Sequence, residues 1–250
     1  MKKIEYIYSK GTHRWAAITR DPERPNYLID TNEYLIINRD EALLTDPGGI
    51  EIFPSVFSAI STEFDPKKIR ALFASHQDPD IISSLSLWLD ISPQVKCYIS
   101  WLWETFVPHF GGNNTTFFSI PDEGMPIQLG DLTLQAVPAH YLHSSGNFNL
   151  YDPLAKILFS GDIGAALLPH GEEYLFVSNF DQHIRFMEGF HKRWMGSNDA
   201  KLDWCERVSQ MNIDMLCPQH GAIFQGPDVM RFINWLADLK VGLYTPTPSP

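Results

Sequence analysis

Short apolar runs alternate with amphipathic stretches along this chain. Runs rich in β-branched and aromatic residues, bounded by turn-forming residues, predict β-strands. Such runs lie at 33–38, 42–45, 69–75, 95–100, 115–120, 131–139, 148–152, 156–161 and 213–218. The first two are joined by a short polar turn, which predicts a hairpin.

Apolar residues recur with the helical period in the intervening stretches and in most of the last third. The predicted helices lie at 50–64, 80–90, 101–110, 179–195, 202–212 and 227–239. Pro54 falls in the first turn of its helix, where proline is tolerated, and Asp80 is expected at or near the N-cap of the second helix.

The order of these elements predicts the fold class. Strands come first, then mixed strands and helices, then helices that can cover a sheet, which indicates a layered α/β sandwich. We expect one domain over residues 1–243. The final stretch 244–250, "YTPTPSP", is rich in proline and is expected to be a frayed tail.

Composition narrows the classes of partner. The 250-residue chain carries a net charge of −11, and nucleic acid or an anionic membrane would require a dense basic face. The three cysteines are widely spaced and form no paired motif, which is typical of a reducing compartment. No apolar run approaches transmembrane length. These features predict a cytoplasmic protein that binds small molecules, metals or proteins.

The stretch "SHQDPD" at 75–80 contains residues typical of a functional site. A turn accounts for Asp78 and Pro79 but not for His76, which directly follows a predicted buried strand. Loops at strand ends are where α/β folds place functional residues. Six histidines and carboxylates at such strand ends form the candidate set: His76, Asp78, Asp80, His143, Asp162 and His220.

The residue types in this set predict a metal centre. Imidazole and carboxylate suit iron, manganese or zinc, and six ligands exceed what one tetrahedral ion requires. The sequence therefore predicts two metal ions.

The pattern H-x-D-x-D, then H, D and H, resembles the metallo-β-lactamase-like diiron domain of flavodiiron proteins. Three further stretches are similar to that family: "EYLIINRDEALLTDPG", "KILFSGD" and "PQHG". The resemblance covers nearly the whole chain and implies a four-layer αβ/βα sandwich that holds two iron ions.

Carried over to this sequence, the resemblance implies that His76, Asp78 and His143 bind one iron. Asp80 and His220 would bind the other, and Asp162 would bridge the two. A carboxylate suits the bridging position because its two oxygens can contact two cations.

Two positions depart from the family pattern. The family usually has glutamate where this chain has Asp78, and the wider superfamily often has histidine where this chain has Ile81. Zinc hydrolases of the same fold place histidine at both positions. Carboxylate in place of imidazole favours iron, although a dinuclear zinc hydrolase is kept as an alternative.

The resemblance also implies a function. The usual family member continues into a flavodoxin domain, whereas this sequence ends at Pro250, so no flavin site is expected within it. Stand-alone relatives are described as oxygen sensors linked to bacterial chemotaxis, which implies O₂ binding and a signalling-protein partner. The alternative is an O₂ or NO reductase served by a separate flavin or rubredoxin donor. Family members tend to form homodimers.

The remaining histidines and aromatic residues are expected to be structural. Tyr141 and Tyr174 are expected to pack, and the tryptophans around 101–103 and 194–204 to fill the core, with a role in shielding the site as the alternative. The histidines assigned structural or surface roles are His13, His109, His140, His170, His183 and His191.

Overall fold

The computed structural model describes residues 2–21, 24–25, 27–106, 109, 117–172 and 174–243. The proposed tail 244–250 lies outside the described residues, so the boundary at 243 stays a prediction. None of the helices in the described ranges is both long and apolar enough to cross a membrane.

The first sheet has seven strands that lie side by side in chain order. Neighbours are antiparallel up to the fourth strand and parallel from the fourth to the seventh. The strands are β1 Ile4–Lys10, β2 His13–Ile18, β3 Glu33–Asn38, β4 Glu41–Thr45, β5 Ile69–Phe73, β6 Lys96–Ser100 and β7 Phe117–Ile120.

The second sheet has six strands, ordered β13-β12-β11-β10-β9-β8. Only the β11 and β12 pair is parallel within it. The strands are β8 Met125–Leu129, β9 Leu132–Pro138, β10 Phe148–Asp152, β11 Ile157–Gly161, β12 Met215–Pro218 and β13 Phe224–Gln225.

The helices pack on the outer faces of the sheets. They are α1 Phe53–Glu63, α2 Pro79–Ile82, α3 Leu85–Ile91, α4 Phe180–Trp194, α5 Asn198–Ser209 and α6 Pro227–Asp238, with short 3₁₀ turns at Pro66–Lys68 and Trp101–Trp103.

Three apolar layers separate the four layers of secondary structure. Helices α1 and α3 pack on the first sheet, the two sheets pack on each other, and α4 to α6 pack on the second sheet. Strand β3 shows why inner strands are buried on both faces: Leu35 faces the helix layer while Ile36 faces the other sheet. The predicted four-layer αβ/βα sandwich is confirmed.

Most predicted elements are present, but the helix predicted over 80–90 is wrong as a single helix. It is split into α2 and α3. Asp80 lies near the N-cap as predicted, because the N-cap is Asp78 and Asp80 is in the first turn of α2. The split occurs at Ser84, whose hydroxyl donates to the carbonyls of Pro47 and Gly48. The backbone N–H of Ser84 also donates to the carbonyl of Gly48, at 3.2 Å, instead of to a carbonyl of the preceding helical turn.

Four strands were not predicted from the sequence, and one predicted helix is too long. Strands β1, β2, β8 and β13 were not predicted, and the stretch from residue 101 contains one 3₁₀ turn at Trp101–Trp103 within its described part. Strand β1 is largely exposed along one edge of the sheet, so its sequence lacks a clear apolar pattern.

Candidate metal centre

The six predicted residues meet at one end of the sandwich, where strands from both sheets terminate. The loop after β5 carries His76 and Asp78, and α2 carries Asp80. In the second sheet, Asp162 directly follows β11, and the other two histidines follow β9 and β12. Strands β9, β11 and β12 run in the same direction, so their C-terminal ends lie on the same side of the second sheet.

The first group of side chains surrounds one point. His143 Nε2 lies 2.8 Å from Asp78 Oδ2, and His76 Nε2 lies 3.5 Å from the same oxygen. Asp162 Oδ2 is 3.7 Å from His76 Nε2 and 3.6 Å from His143 Nε2. One ligand atom from each of these four residues lies within 4.8 Å of every other, which is a grouping that could hold a metal ion.

The second group uses the other oxygen of Asp162. His220 Nε2 lies 3.4 Å from Asp162 Oδ1 and 3.3 Å from Asp80 Oδ2. The two oxygens of Asp162 therefore face two different sets of side chains.

The unsatisfied atoms of the site fit a cation. His76 Nε2 and Asp162 Oδ1 are buried without a hydrogen-bond partner among the described residues, whereas buried polar atoms are normally bonded. Two ligand atoms that each lie about 2.1 Å from one ion are roughly 3 Å apart, so the observed separations suit atoms that share an ion.

Hydrogen bonds to neighbouring residues fix the orientation of the His76 and His220 rings. The backbone N–H and the hydroxyl of Ser75 donate to Asp46, at 2.7 and 2.8 Å, and His76 Nδ1 lies 2.9 Å from the same hydroxyl. Because that hydroxyl gives its proton to Asp46, it accepts from His76 Nδ1–H, and Nε2 is turned towards the site. His220 Nδ1 likewise donates to the carbonyl of Asp30 at 2.5 Å.

The supporting roles of Asp46 and Ser75 were not predicted from the sequence. Asp46 lies in "TDPG", which reads locally as a turn, and its bond to Ser75 joins β4 to the loop after β5. The resemblance to the family's opening hairpin was the available signal.

Neighbouring charges in the site oppose the effect of burial on the pKa values of its ligands. Burial lowers the pKa of His76, but the Asp162 and Asp78 carboxylates outweigh it and raise that pKa to about 9. Burial likewise opposes protonation of His220, and Asp162 and Asp80 raise its pKa well above the usual value. Burial raises the pKa of Asp162, but His220 and His76 hold it at about 2. Burial raises the pKa of Asp46 to about 7.

An aromatic pair covers the His143 side. The ring of Phe190 stacks on His143 at 6.0 Å between centroids, and Trp194 lies at 5.0 Å. Trp194 is 54% exposed, so its predicted place in the core is wrong, whereas Trp204 is fully buried as predicted.

The His143 loop is strained. His143 has φ +89° and Tyr141 has φ +63°, which are left-handed conformations that are costly for residues with a side chain. Asn147 donates to the carbonyl of Leu142 at 2.8 Å and braces the loop. Ile81, the residue that departs from the superfamily pattern, points away into the helix layer.

The other histidines make structural contacts. His13 Nε2 lies 2.6 Å from Asp152 Oδ2, and His140 Nε2 lies 2.8 Å from the carbonyl of Asp122. The predicted surface positions of His109 and His170 are confirmed.

Two histidines lie in α4, the helix predicted to contain them, and both are buried. His191 Nε2 accepts from the N–H of Gly164, two residues beyond Asp162, at 3.0 Å. His183 Nδ1 pairs with the hydroxyl of Tyr174 at 2.9 Å. That hydroxyl is therefore engaged away from the six-residue group.

The fold and the clustered histidines and carboxylates define a metallo-β-lactamase-like protein of the flavodiiron type. The family described as "ODP family beta lactamase" matches residues 29–221, and the chain belongs to this family.

Solved structures agree with this assignment. The chemotaxis sensor ODP from T. denticola in its apo state is 40% identical, with 96% of each chain covered and a TM-score of 0.87. A structure described as the peroxy diiron species of chemotaxis sensor ODP is 39% identical, with the same coverage and a TM-score of 0.86.

More distant relatives share the fold. A flavo di-iron protein variant from Thermotoga maritima is 24% identical, with a TM-score of 0.81 over 95% of this chain and 61% of that chain. An uncharacterised protein of Methanocaldococcus jannaschii is 25% identical over 203 residues, which is 78% of this chain. This chain spans about half the length of that curated relative, at 49%.

Proposed function

We propose that this protein is a non-haem diiron protein that binds O₂ and acts as an oxygen sensor in bacterial signalling. The observation that carries the proposal is the position of Asp162, whose two oxygens face separate groups of histidine and aspartate. Solved structures of a chemotaxis sensor at about 40% identity support the same function.

The ligand assignment follows the two groups of side chains. In this proposal His76, Asp78 and His143 hold one iron, Asp80 and His220 hold the other, and Asp162 bridges them. The three carboxylates offset much of the charge of two divalent ions. A bound iron pair would supply two electrons and open coordination positions for O₂.

The surrounding residues orient the ligands and exclude water. Ser75 and the carbonyl of Asp30 direct the Nε2 atoms of their histidines into the site. Phe190 and Trp194 cover the ring of His143. A bound O₂ molecule would therefore meet ligands that are held in place, in a site whose His143 flank is shielded by aromatic rings.

Signalling requires a partner protein that distinguishes the oxygenated from the reduced state. We propose such a partner and a homodimeric assembly as further parts of the function. The cysteines are all unpaired and buried, which supports a reducing compartment and thus the cytoplasm.

The test is anaerobic loading with Fe²⁺, metal quantification, and exposure to one aliquot of air in an optical cell. We expect about two irons per chain and a long-lived visible absorption band. Two irons with rapid bleaching and sustained O₂ uptake after an electron donor is added would instead indicate a reductase. A preparation that takes up two zinc ions and hydrolyses esters, and forms no colour with iron, would contradict the proposal.

A matched pair of variants tests the ligand assignment. Asp162→Asn removes the bridging charge and should lose at least one metal ion. Asp131→Asn removes a carboxylate of the same type that pairs with Arg39 on the surface, and should keep both. Equal metal content in the two variants would refute the role of Asp162.

A further inference from the structure

The two flanks of the site differ in their access to solvent. The side chains of Asp78 and Asp80 are each 29% exposed, whereas those of Asp162 and His143 are 6% exposed. Because Phe190 and Trp194 cover the His143 flank, a small molecule reaches the site more readily past the two acids.

A cavity of about 310 Å³ opens beside Asp80. Its apolar lining comes from two chain segments, with Leu28 and Ile29 in one and Ile50 and Ile52 in the other. Ile29 and Ile50 are 43% and 51% exposed, so these two side chains lie where the cavity meets solvent. Enclosed apolar cavities of about 150 Å³ take up xenon in other proteins. This cavity is open to solvent and has about 310 Å³, so a diatomic gas fits within it.

The wall of the cavity is held in place by hydrogen bonds to the segment that carries Asp80. The N–H of Gly48 donates to the carbonyl of Ile81 at 2.9 Å, and the N–H of Ile50 donates to the hydroxyl of Ser83 at 3.0 Å. The two segments are bonded to each other at two points, so the cavity does not depend on a ligand to form.

The polar lining selects against anions. Glu51, which is exposed, and Asp80, which is partly buried, both line the cavity, and no lysine or arginine is found among the described residues that line it. Negative charge repels anionic reagents at short range, while apolar walls accept a neutral diatomic molecule.

We propose that this cavity is the route by which O₂ enters, with Ile29 and Ile50 as its gate and Glu51 as a charge filter against anionic reductants. The proposal rests on the oxygen-binding function proposed above. Under this proposal the oxygenated state persists because common anionic reductants are kept away from the metals.

The cavity is tested first in the metal-free full-length protein. Methyl NMR spectra under xenon pressure should show shifts at Leu28, Ile29, Ile50 and Ile52. Ile50→Trp should abolish them because the indole fills the mouth, whereas Leu154→Trp, on an exposed turn at the other end of β10, should retain them. Absence of shifts in the unaltered protein would overturn the cavity as a gas site.

The route is tested in the iron-loaded protein by stopped-flow mixing with O₂. Ile50→Trp should slow colour formation roughly tenfold, which corresponds to about 1.4 kcal/mol of added barrier, and Leu154→Trp should not. An unchanged rate in Ile50→Trp would overturn the route. Failure of the protein to bind iron would refute the proposed function, and the xenon measurement would still decide the cavity.

The charge filter has its own variant. Glu51→Lys should speed reduction of the oxidised protein by dithionite roughly fivefold at low salt, with the gain lost at high salt, and should leave the O₂ rate unchanged. An unaltered dithionite rate would overturn the filter.

Discussion

Metal binding to this protein should release protons, and their number can be worked out from the structure. The pKa of His76 is raised to about 9 and that of His220 well above its usual value, in both cases by neighbouring carboxylates that outweigh burial. Near pH 8 both imidazoles hold a proton at the nitrogen that faces the site. A divalent cation requires those nitrogens as free bases, so binding should displace about two protons.

The sign and size of the pH dependence follow. Metal affinity should rise with pH, because fewer protons need to be displaced, by about 1.4 kcal/mol per proton and pH unit. For two protons this is roughly a hundredfold per unit. The dependence should weaken above pH 9, where the pKa of His76 lies. Near pH 8 Asp46, with a pKa of about 7, is mainly ionised and adds little.

The assay is a titration of the metal-free protein with Co²⁺ in weakly buffered solution, with a pH indicator for the protons and the visible Co²⁺ bands for binding. The slope of affinity against pH is measured separately in competition with a chelator. Asp162→Asn should release fewer protons, because it removes the strongest cause that raises both histidine pKa values, while Asp131→Asn should behave as the unaltered protein. Metal binding without proton release and with pH-independent affinity would refute this reasoning.

Three further predictions concern ligand geometry, the aromatic cover and stability. Asp78→Glu should keep two metal ions but change the decay rate of the colour formed in air, and an unchanged rate would mean that the shorter side chain is incidental. Trp194→Phe should remove part of the tryptophan fluorescence quenching that Co²⁺ causes, because the indole lies 5.0 Å from the ring of His143; equal quenching in both proteins would contradict this. Lys201→Met should lower the free energy of unfolding by about 2 kcal/mol and the Tm by several degrees, because the ammonium donates to two carbonyls at the end of α6. An unaltered thermal unfolding curve would argue against that role.

Local patterns predicted much of the fold. Strands buried on both faces, such as β3 and β11, consist mainly of apolar residues and are recognisable without knowledge of their neighbours. Edge strands are harder to recognise. Strand β1 is largely exposed and is defined by its pairing with β2, and that pairing cannot be inferred from local periodicity. The break between α2 and α3 likewise depends on Ser84, whose bonding partners lie in a loop far earlier in the chain.

The sequence by itself determined the chemistry of the candidate site. Three imidazoles and three carboxylates at strand ends specify a metal centre because their ligand preferences depend on residue type alone. The positions at strand ends followed from the apolar runs that precede them.

Only the tertiary structure decided how these groups face one another. The two oxygens of Asp162 meet histidines from both sheets, Trp194 covers His143, and Asp46 supports His76 through Ser75. Each contact joins residues far apart in the chain. The contact between Asp162 and His76 depends on the packing of the two sheets, whereas the other two depend on how strands and helices pack around one sheet. Distances between such groups are properties of that packing, which no local pattern encodes.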